Sequence, residues 1–188
     1  MKRRFCFTLV EILVVTALVA LLGAIGFAGY GYAMGAARRS ATESLIKQIE
    51  AALENFKIKK GYYPSSSGYA TIGMTLNNSQ IVSITFGSTT WNATGTGEAE
   101  FKTFLKPLDQ EKLKKNIENS TLVDSWGGAI RYRYPGAVNT TGFDLIAPGP
   151  DGQFGVSPAA TPADPPTATT YKSGTDWACD DIANFMNK

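Results

Sequence analysis

The feature that most constrains this chain is a long apolar run near its amino end. From Ile12 to Ala37 no residue carries a charge. As a helix, a run of this length rises roughly 39 Å at ~1.5 Å per residue, which exceeds the ~30 Å hydrocarbon core of a bilayer. Basic side chains precede the run at Lys2, Arg3 and Arg4, and they favour a cytoplasmic amino end. The pattern predicts one membrane-spanning helix.

Two ordinary explanations compete for this run. A secretory signal peptide has a basic start and an apolar centre, but its apolar centre is shorter and a carboxylate inside it is unusual. A plain membrane anchor explains the length but leaves Glu11 unexplained. A carboxylate deep in an apolar helix costs about 2.5–3.5 kcal/mol on insertion scales, so such a residue is by default a functional clue. The amino terminus of a neighbouring copy would be a suitable partner for it.

The residues around Glu11 resemble a processing signal. A basic leader followed by the segment Phe7–Val15 is similar to the class III signal of type IV pilins and type II secretion pseudopilins. In that family a membrane peptidase removes the leader and methylates the new amine. The resemblance implies cleavage between Cys6 and Phe7, N-methylation of Phe7, and pairing of Glu11 with the amine of Phe7 in an adjacent subunit. Cys6 departs from the Gly that the family usually has before the cut.

Beyond Arg38 the pattern changes to an amphipathic helix. Gly61 follows the helix as a left-handed cap, and Pro64 prevents the helix from restarting. Gly61 to Pro64 also resembles the Gly-x-Tyr-Pro that ends the long helix of the same family. We predict one continuous helix of roughly fifty residues, apolar all round at first and one-sided later. The apolar side chains of the one-sided part recur every three or four positions, at Leu45, Ile46, Ile49, Ala52, Leu53 and Phe56.

The rest of the chain predicts a small antiparallel sheet with short helices. Residues 65–97 are rich in Ser, Thr, Gly and Asn and indicate a variable loop that holds a short strand or hairpin. Residues 98–119 predict a short helical region broken at Pro107. Residues 130–134 alternate apolar and basic side chains, and together with residues 141–146 they predict a hairpin.

Short motifs extend the resemblance into this globular region. They are Asp124-x-Trp126-Gly127, Tyr134-Pro135-Gly136 and the run Phe143–Gly155, followed after a gap by Asp181-Ile182-Ala183-Asn184-Phe185. Together they are similar to the carboxyl-terminal region of the major pseudopilin of type II secretion, which has Trp where this chain has Phe185. Residues 65–97 and 156–175 do not match that family, and the second of them indicates an insertion.

In those pseudopilins the carboxyl-terminal loop wraps a calcium ion. Carried over by position, the resemblance implies ligands at the backbone carbonyl of Pro148, at Asp151, at Asp176 or Asp180, and at Asp181, for which capping a turn is the alternative role. The chemistry is compatible, because calcium takes about six to eight oxygens from carboxylates, carbonyls and water. The alternative is that these aspartates are solvated turn residues, a common position for Asp.

Composition excludes several other classes of function. The 188 residues contain no histidine, which removes Ser-His-Asp and Cys-His catalysis and His-ligated zinc. The two cysteines, Cys6 and Cys179, form no CxxC site. The net charge is +2 without a long basic block, so nucleic acid is not an expected partner. We expect a structural protein and no enzyme.

The sequence as a whole predicts an α+β protein with the pilin fold, in which a long amino-terminal helix packs on a small antiparallel sheet. Residues 1–6 are the expected leader. Residues 7–37 are the expected membrane and assembly half of the helix, and residues 38–188 are the expected periplasmic domain.

The resemblance implies a structural subunit of a type II secretion pseudopilus. Such a subunit is held in the inner membrane by a single pass and assembles into a filament that drives protein export. The implied partners are further copies of the chain, other pseudopilins, a prepilin peptidase and an inner-membrane assembly platform. The implied cofactor is calcium.

Two alternative functions stay open. One is a type IV pilin for adhesion, motility or DNA uptake, although many such pilins close the carboxyl-terminal loop with a disulfide. Only Cys179 is available for that after the leader is removed. The other alternative is a membrane-tethered periplasmic protein of different function.

Overall fold

The fold is described by a computed structural model that covers residues 8–66, 68–154 and 181–185, with the backbone alone for residues 25–29. Internal contacts divide the chain into two units, Met1–Arg38 and Arg39–Lys188. Helix α1, Leu9–Lys60, is 52 residues long and contributes to both units. The prediction of one long amino-terminal helix is therefore confirmed.

In the first unit the described side chains of α1 are exposed. Leu9 is 77% exposed and Leu22 is 69% exposed, and the large apolar side chains between them are more than half exposed. Among the residues that the structure describes, no helix combines the length and the apolar character required to cross a membrane.

In the second unit α1 buries one face. Gly61 ends the helix with a φ of 85°, and its N–H donates to the carbonyl of Lys57 at 2.7 Å. This is the left-handed cap that the sequence predicts. The predicted apolar face is also confirmed, because its side chains are each at most 7% exposed, at Leu45, Ile46, Ile49, Ala52, Leu53 and Phe56.

An antiparallel sheet and two short α-helices form most of the rest of the described part of the second unit. In chain order they are β1 (Ala70–Asn77), β2 (Gln80–Phe86), β3 (Thr89–Asn92), α2 (Glu98–Leu105), α3 (Gln110–Lys114), β4 (Ile117–Glu118), β5 (Thr121–Leu122), β6 (Arg131–Arg133), β7 (Asp144–Ala147) and β8 (Ile182–Ala183). The strand order is β3-β2-β1-β6-β7-β8, and β5 pairs with both β1 and β4. The predicted hairpin of residues 130–146 is present as the β6–β7 pair.

Residues 65–97 are more regular than the sequence predicted. Instead of one short strand or hairpin they contain β1, β2 and β3, which pair in sequence. A two-residue turn at Asn78 and Ser79 joins β1 to β2, and both residues have positive φ, of 46° and 60°. Farther along, the chain interrupts its helical region around Pro107 as predicted, but residues 117 and 118 form β4 rather than helix.

The core lies between α1 and the sheet. Phe56 of α1 stacks on Trp91 of β3 with ring centroids 4.6 Å apart. Phe86 packs edge-on against Phe104 and Tyr132, at 5.2 Å and 5.0 Å. Full burial of a large apolar side chain contributes about 1.5–3 kcal/mol. The contact between Phe56 and Trp91 therefore holds α1 against the sheet.

Candidate functional site

The structure bears on part of the predicted site. Cys6, Phe7, Asp176 and Asp180 lie outside the described residues. The placement of Glu11, Pro148, Asp151 and Asp181 is described.

Glu11 lies in the first turn of α1, where it forms a capping box with Thr8. The backbone N–H and the hydroxyl of Thr8 both donate to Glu11 Oε2, each at 3.0 Å. In return the backbone N–H of Glu11 donates to Thr8 Oγ1 at 3.2 Å. This reciprocal arrangement satisfies backbone donors that a helix start leaves unpaired. The sequence prediction gave Glu11 only a role between subunits, although the Thr-x-x-Glu spacing is the signal for this local one.

The predicted turn around Asp151 is a single turn of 3-10 helix, Gly149–Asp151, directly after Pro148. Gly149 and Gly152 flank it with φ of 72° and 71°, a conformation that favours glycine. Asp151 is exposed, and its Oδ1 accepts the backbone N–H of Gln153 at 2.8 Å. The two glycines thus fix a loop that presents Asp151 to solvent.

Strand β8 brings the Asp181 segment to the same end of β7. Ile182 pairs with Ala147, and Ala183 pairs with Ile146. Asp181 and Pro148 adjoin this last pair in the chain, Asp181 directly before Ile182 and Pro148 directly after Ala147. Asp181 is 0% exposed and Pro148 is buried. The structure therefore brings these two predicted ligands to one sheet end, with Asp151 three residues after Pro148.

Asn184 links residues 181–185 to β7 by hydrogen bonds, a role that the sequence did not predict. The backbone N–H of Leu145 donates to Asn184 Oδ1 at 2.9 Å. Asn184 Nδ2 donates to the carbonyl of Phe143 at 3.2 Å, and the Asn184 backbone N–H donates to the carbonyl of Leu145 at 3.1 Å. The Asn of the Asp-Ile-x-Asn motif was the signal available for it.

Asp124 is a buried carboxylate that joins two loops. Its Oδ1 accepts the N–H groups of Trp126 at 2.9 Å and Gly128 at 2.8 Å. Its Oδ2 accepts the N–H of Gly149 at 3.1 Å. Burial raises the pKa of Asp124 above its ordinary value, and these three N–H donors oppose the rise. The sequence prediction used Asp124 only as part of a motif.

Ser125, the residue after Asp124, links the same turn to α1 by hydrogen bonds. The hydroxyl of Thr42 donates to Ser125 Oγ at 3.0 Å, and the backbone N–H of Ser125 donates to Thr42 Oγ1 at 3.1 Å. Thr42 is 0% exposed. A hydroxyl buried on the apolar face of a helix needs such partners, because an unsatisfied one costs free energy.

The groups at the end of β7 offer oxygen atoms only, from carboxylates and a carbonyl. This donor set suits a hard cation such as calcium rather than a softer metal. Within the described ranges no group of three or more His, Cys, Asp or Glu side chains could hold a metal ion. Asp151, Asp181 and the Pro148 carbonyl are oxygen donors of the kind that calcium binds.

Comparison of the chain with family models, with curated proteins and with solved structures finds no match. What the described residues establish is an α+β protein in which a long amino-terminal helix packs on an antiparallel sheet.

Proposed function

We propose that this chain is a pilin-fold structural subunit of a type II secretion pseudopilus. The main support for the proposal is the difference in side-chain exposure between the two parts of α1. Its described amino-terminal side chains are exposed and mostly apolar, whereas its later part buries a single apolar face in the second unit. Exposed apolar surface of this extent marks a region that is covered by something else.

Before assembly, the lipid of the inner membrane would cover that surface. This part of the proposal rests on the sequence, because the uncharged run Ile12–Ala37 includes residues 25–29, whose side chains lie outside the described residues. The leader charges orient the helix with its carboxyl-terminal domain in the periplasm.

After assembly, the apolar helices of other copies would cover the same surface. Cleavage before Phe7 creates an amine, and Glu11 of the adjacent subunit would pair with it. Two opposite charges in an apolar filament core attract strongly, and each is costly to leave alone there. The pair therefore selects the stagger at which each new subunit adds. The proposed partners are further copies, other pseudopilins, a prepilin peptidase and an inner-membrane assembly platform.

The proposed cofactor is calcium, held in the loop at the end of β7. Asp151 and Asp181 would supply carboxylate oxygens and Pro148 a carbonyl oxygen, with Asp176 or Asp180 as further ligands. Support comes from the pairing of β7 with β8, whose last pair, Ala147 with Ile182, is adjoined in the chain by Pro148 and by the buried Asp181. When bound, the cation would neutralise these carboxylates and hold the loop closed. The proposed role is structural and needs no catalytic residue.

Assembly in a bacterium that carries type II secretion genes tests the proposal. The chain would be expressed with a prepilin peptidase and an assembly platform, and surface filaments would be collected by shearing. We expect sheared filaments that contain this chain and a ladder of cross-linked multimers in the membrane. The same strain without the platform is the control, and it should give neither. A chain that stays monomeric with the platform present would refute the proposal.

A further inference from the structure

The turn Asp124–Gly128 lies between α1 and the loop Pro148–Asp151. The two carboxylate oxygens of Asp124 accept different hydrogen bonds. Oδ1 accepts the N–H groups of Trp126 and Gly128 within the turn, and Oδ2 accepts the N–H of Gly149 in the loop. Hydrogen bonds to a charged acceptor are about twice as strong as neutral ones. The contact with Gly149 therefore restrains the backbone directly after Pro148.

A steric contact reinforces the same placement. A Cβ built on Gly128 would overlap the ring of Pro148 and would lie 3.2 Å from Asp124 Oδ2. The turn itself is anchored on α1, because Thr42 and Ser125 exchange two hydrogen bonds. The loop thus rests on a turn that is fixed from both sides.

We propose that Asp124 is the positioning residue of the loop Pro148–Asp151 and that its carboxylate sets the affinity of this loop for a divalent cation. This inference rests on the calcium role proposed above. Asp124 binds no metal itself. It fixes the backbone that carries the Pro148 carbonyl and Asp151, and residues that orient metal ligands in this way typically change metal affinity by about 10–100-fold when removed.

Asp124→Asn isolates this role. An amide has a single acceptor oxygen, so with that oxygen at Oδ1 the bonds from Trp126 and Gly128 persist. The amide nitrogen then faces the N–H of Gly149, and two donors repel. A second variant, Gly128→Ala, displaces Pro148 by steric overlap and deletes no hydrogen-bonding group. Gly128 has no positive φ, so its backbone accepts alanine.

Ile84→Val is the matched control for a loss of stability alone. Ile84 is 0% exposed in β2, and this change typically costs about 0.5–1.5 kcal/mol. Each full-length chain is purified in detergent micelles and titrated with calcium chloride by calorimetry, well below the unfolding temperature of every variant. Amide hydrogen exchange of the loop is measured on the same samples without calcium.

We expect Asp124→Asn to raise the calcium Kd about 10–100-fold, Gly128→Ala to raise it several-fold, and Ile84→Val to leave it unchanged within about two-fold. Asp124→Asn should also speed exchange at Gly149 without calcium. An unchanged Kd for Asp124→Asn would overturn the inference. If the unaltered chain binds no calcium, the calcium proposal fails and so does the affinity claim. The exchange of Gly149 then decides separately whether Asp124 holds the loop.

Discussion

The carboxylate of Glu11 accepts two hydrogen bonds from Thr8, both on Oε2 and both at 3.0 Å. Within one subunit this carboxylate is thus a helix cap. In the proposed filament the same group pairs with the amine of Phe7 on a neighbouring copy. Capping and assembly therefore use one side chain, and the two roles can be separated by changing the two members of the capping box independently.

Thr8→Ala and Glu11→Gln form a matched pair of variants. Thr8→Ala removes the cap, at a cost of about 0.5–2 kcal/mol of helix stability, but keeps the charge of Glu11. Glu11→Gln keeps a capping-box side chain but removes the charge. We expect Thr8→Ala to assemble and Glu11→Gln to remain in the membrane as monomer, scored by cross-linking and sheared filaments. Assembly by Glu11→Gln at the level of the unaltered chain would contradict the pairing.

Calcium should stabilise the chain against heat. At a concentration about 100 times Kd, a ligand that binds only the folded state adds about 2.7 kcal/mol, which for a chain of this size raises Tm by roughly 5–10 °C. We expect this shift between calcium and a chelator, measured by circular dichroism in detergent. Asp151→Ala should abolish it.

Asp109→Ala is the control for the calcium melt. Asp109 caps α3 by accepting the Lys112 N–H at 3.3 Å, so its loss lowers Tm without touching the loop. The calcium shift should persist in this variant. Equal Tm values for the unaltered chain with calcium and with chelator would contradict the proposed cation site.

The features that the sequence predicted are those whose signal is local. The buried face from Leu45 to Phe56 follows from a spacing of three and four residues, and the left-handed cap follows from Gly61 alone. The β6–β7 hairpin follows from alternation over a few positions. Each of these depends on neighbours in the chain, and therefore periodicity and turn chemistry suffice to find it.

The features that the sequence missed depend on distant parts of the chain. Asp124 bonds Gly149 across 25 residues, and Thr42 bonds Ser125 across 83. No periodicity predicts such a contact, because the fold and not the spacing along the chain brings the two partners together. In residues 65–97 only a short strand or hairpin was predicted, and the full three-stranded arrangement was missed because Asn78 and Ser79 give a weaker turn signal than the Asn-Gly that tight hairpins favour.

Ser79→Gly should stabilise the β1–β2 hairpin. Ser79 has a φ of 60°, which glycine adopts at no steric cost and serine does not. We expect a gain of about 0.5–1 kcal/mol in the free energy of unfolding, measured by denaturant titration. Ser83→Gly in β2 is the control and should destabilise by a similar amount, because glycine weakens a strand interior. A loss of stability in Ser79→Gly would show that the turn adopts another conformation.

The ion pair between Lys60 and Glu100 should make stability depend on pH. The atoms Lys60 Nζ and Glu100 Oε1 are 2.8 Å apart, and the hydrogen bond from Lys60 lowers the pKa of Glu100. A carboxyl whose pKa is lower in the folded state stabilises the fold above its ordinary pKa, and this contribution is lost as the pH falls through the lowered value.

Lys60→Met should therefore cost a few tenths to about 1 kcal/mol near neutral pH, and this cost should shrink as the pH falls below the ordinary pKa of a glutamate. Lys59→Met is the control, since Lys59 makes no ion pair within the described ranges. Denaturant unfolding at several pH values gives both numbers. A cost for Lys60→Met that is the same at every pH would assign the effect to packing of the lysine stem.

Mass spectrometry of the mature amino terminus is the decisive test of pilin-type processing at Phe7. The full chain is expressed with a prepilin peptidase, extracted from the membrane and measured intact and after digestion. We expect an N-methylated Phe7 as the first residue, with residues 1–6 absent. An intact Met1, or a cut near Gly35 at the end of the apolar run, would contradict it.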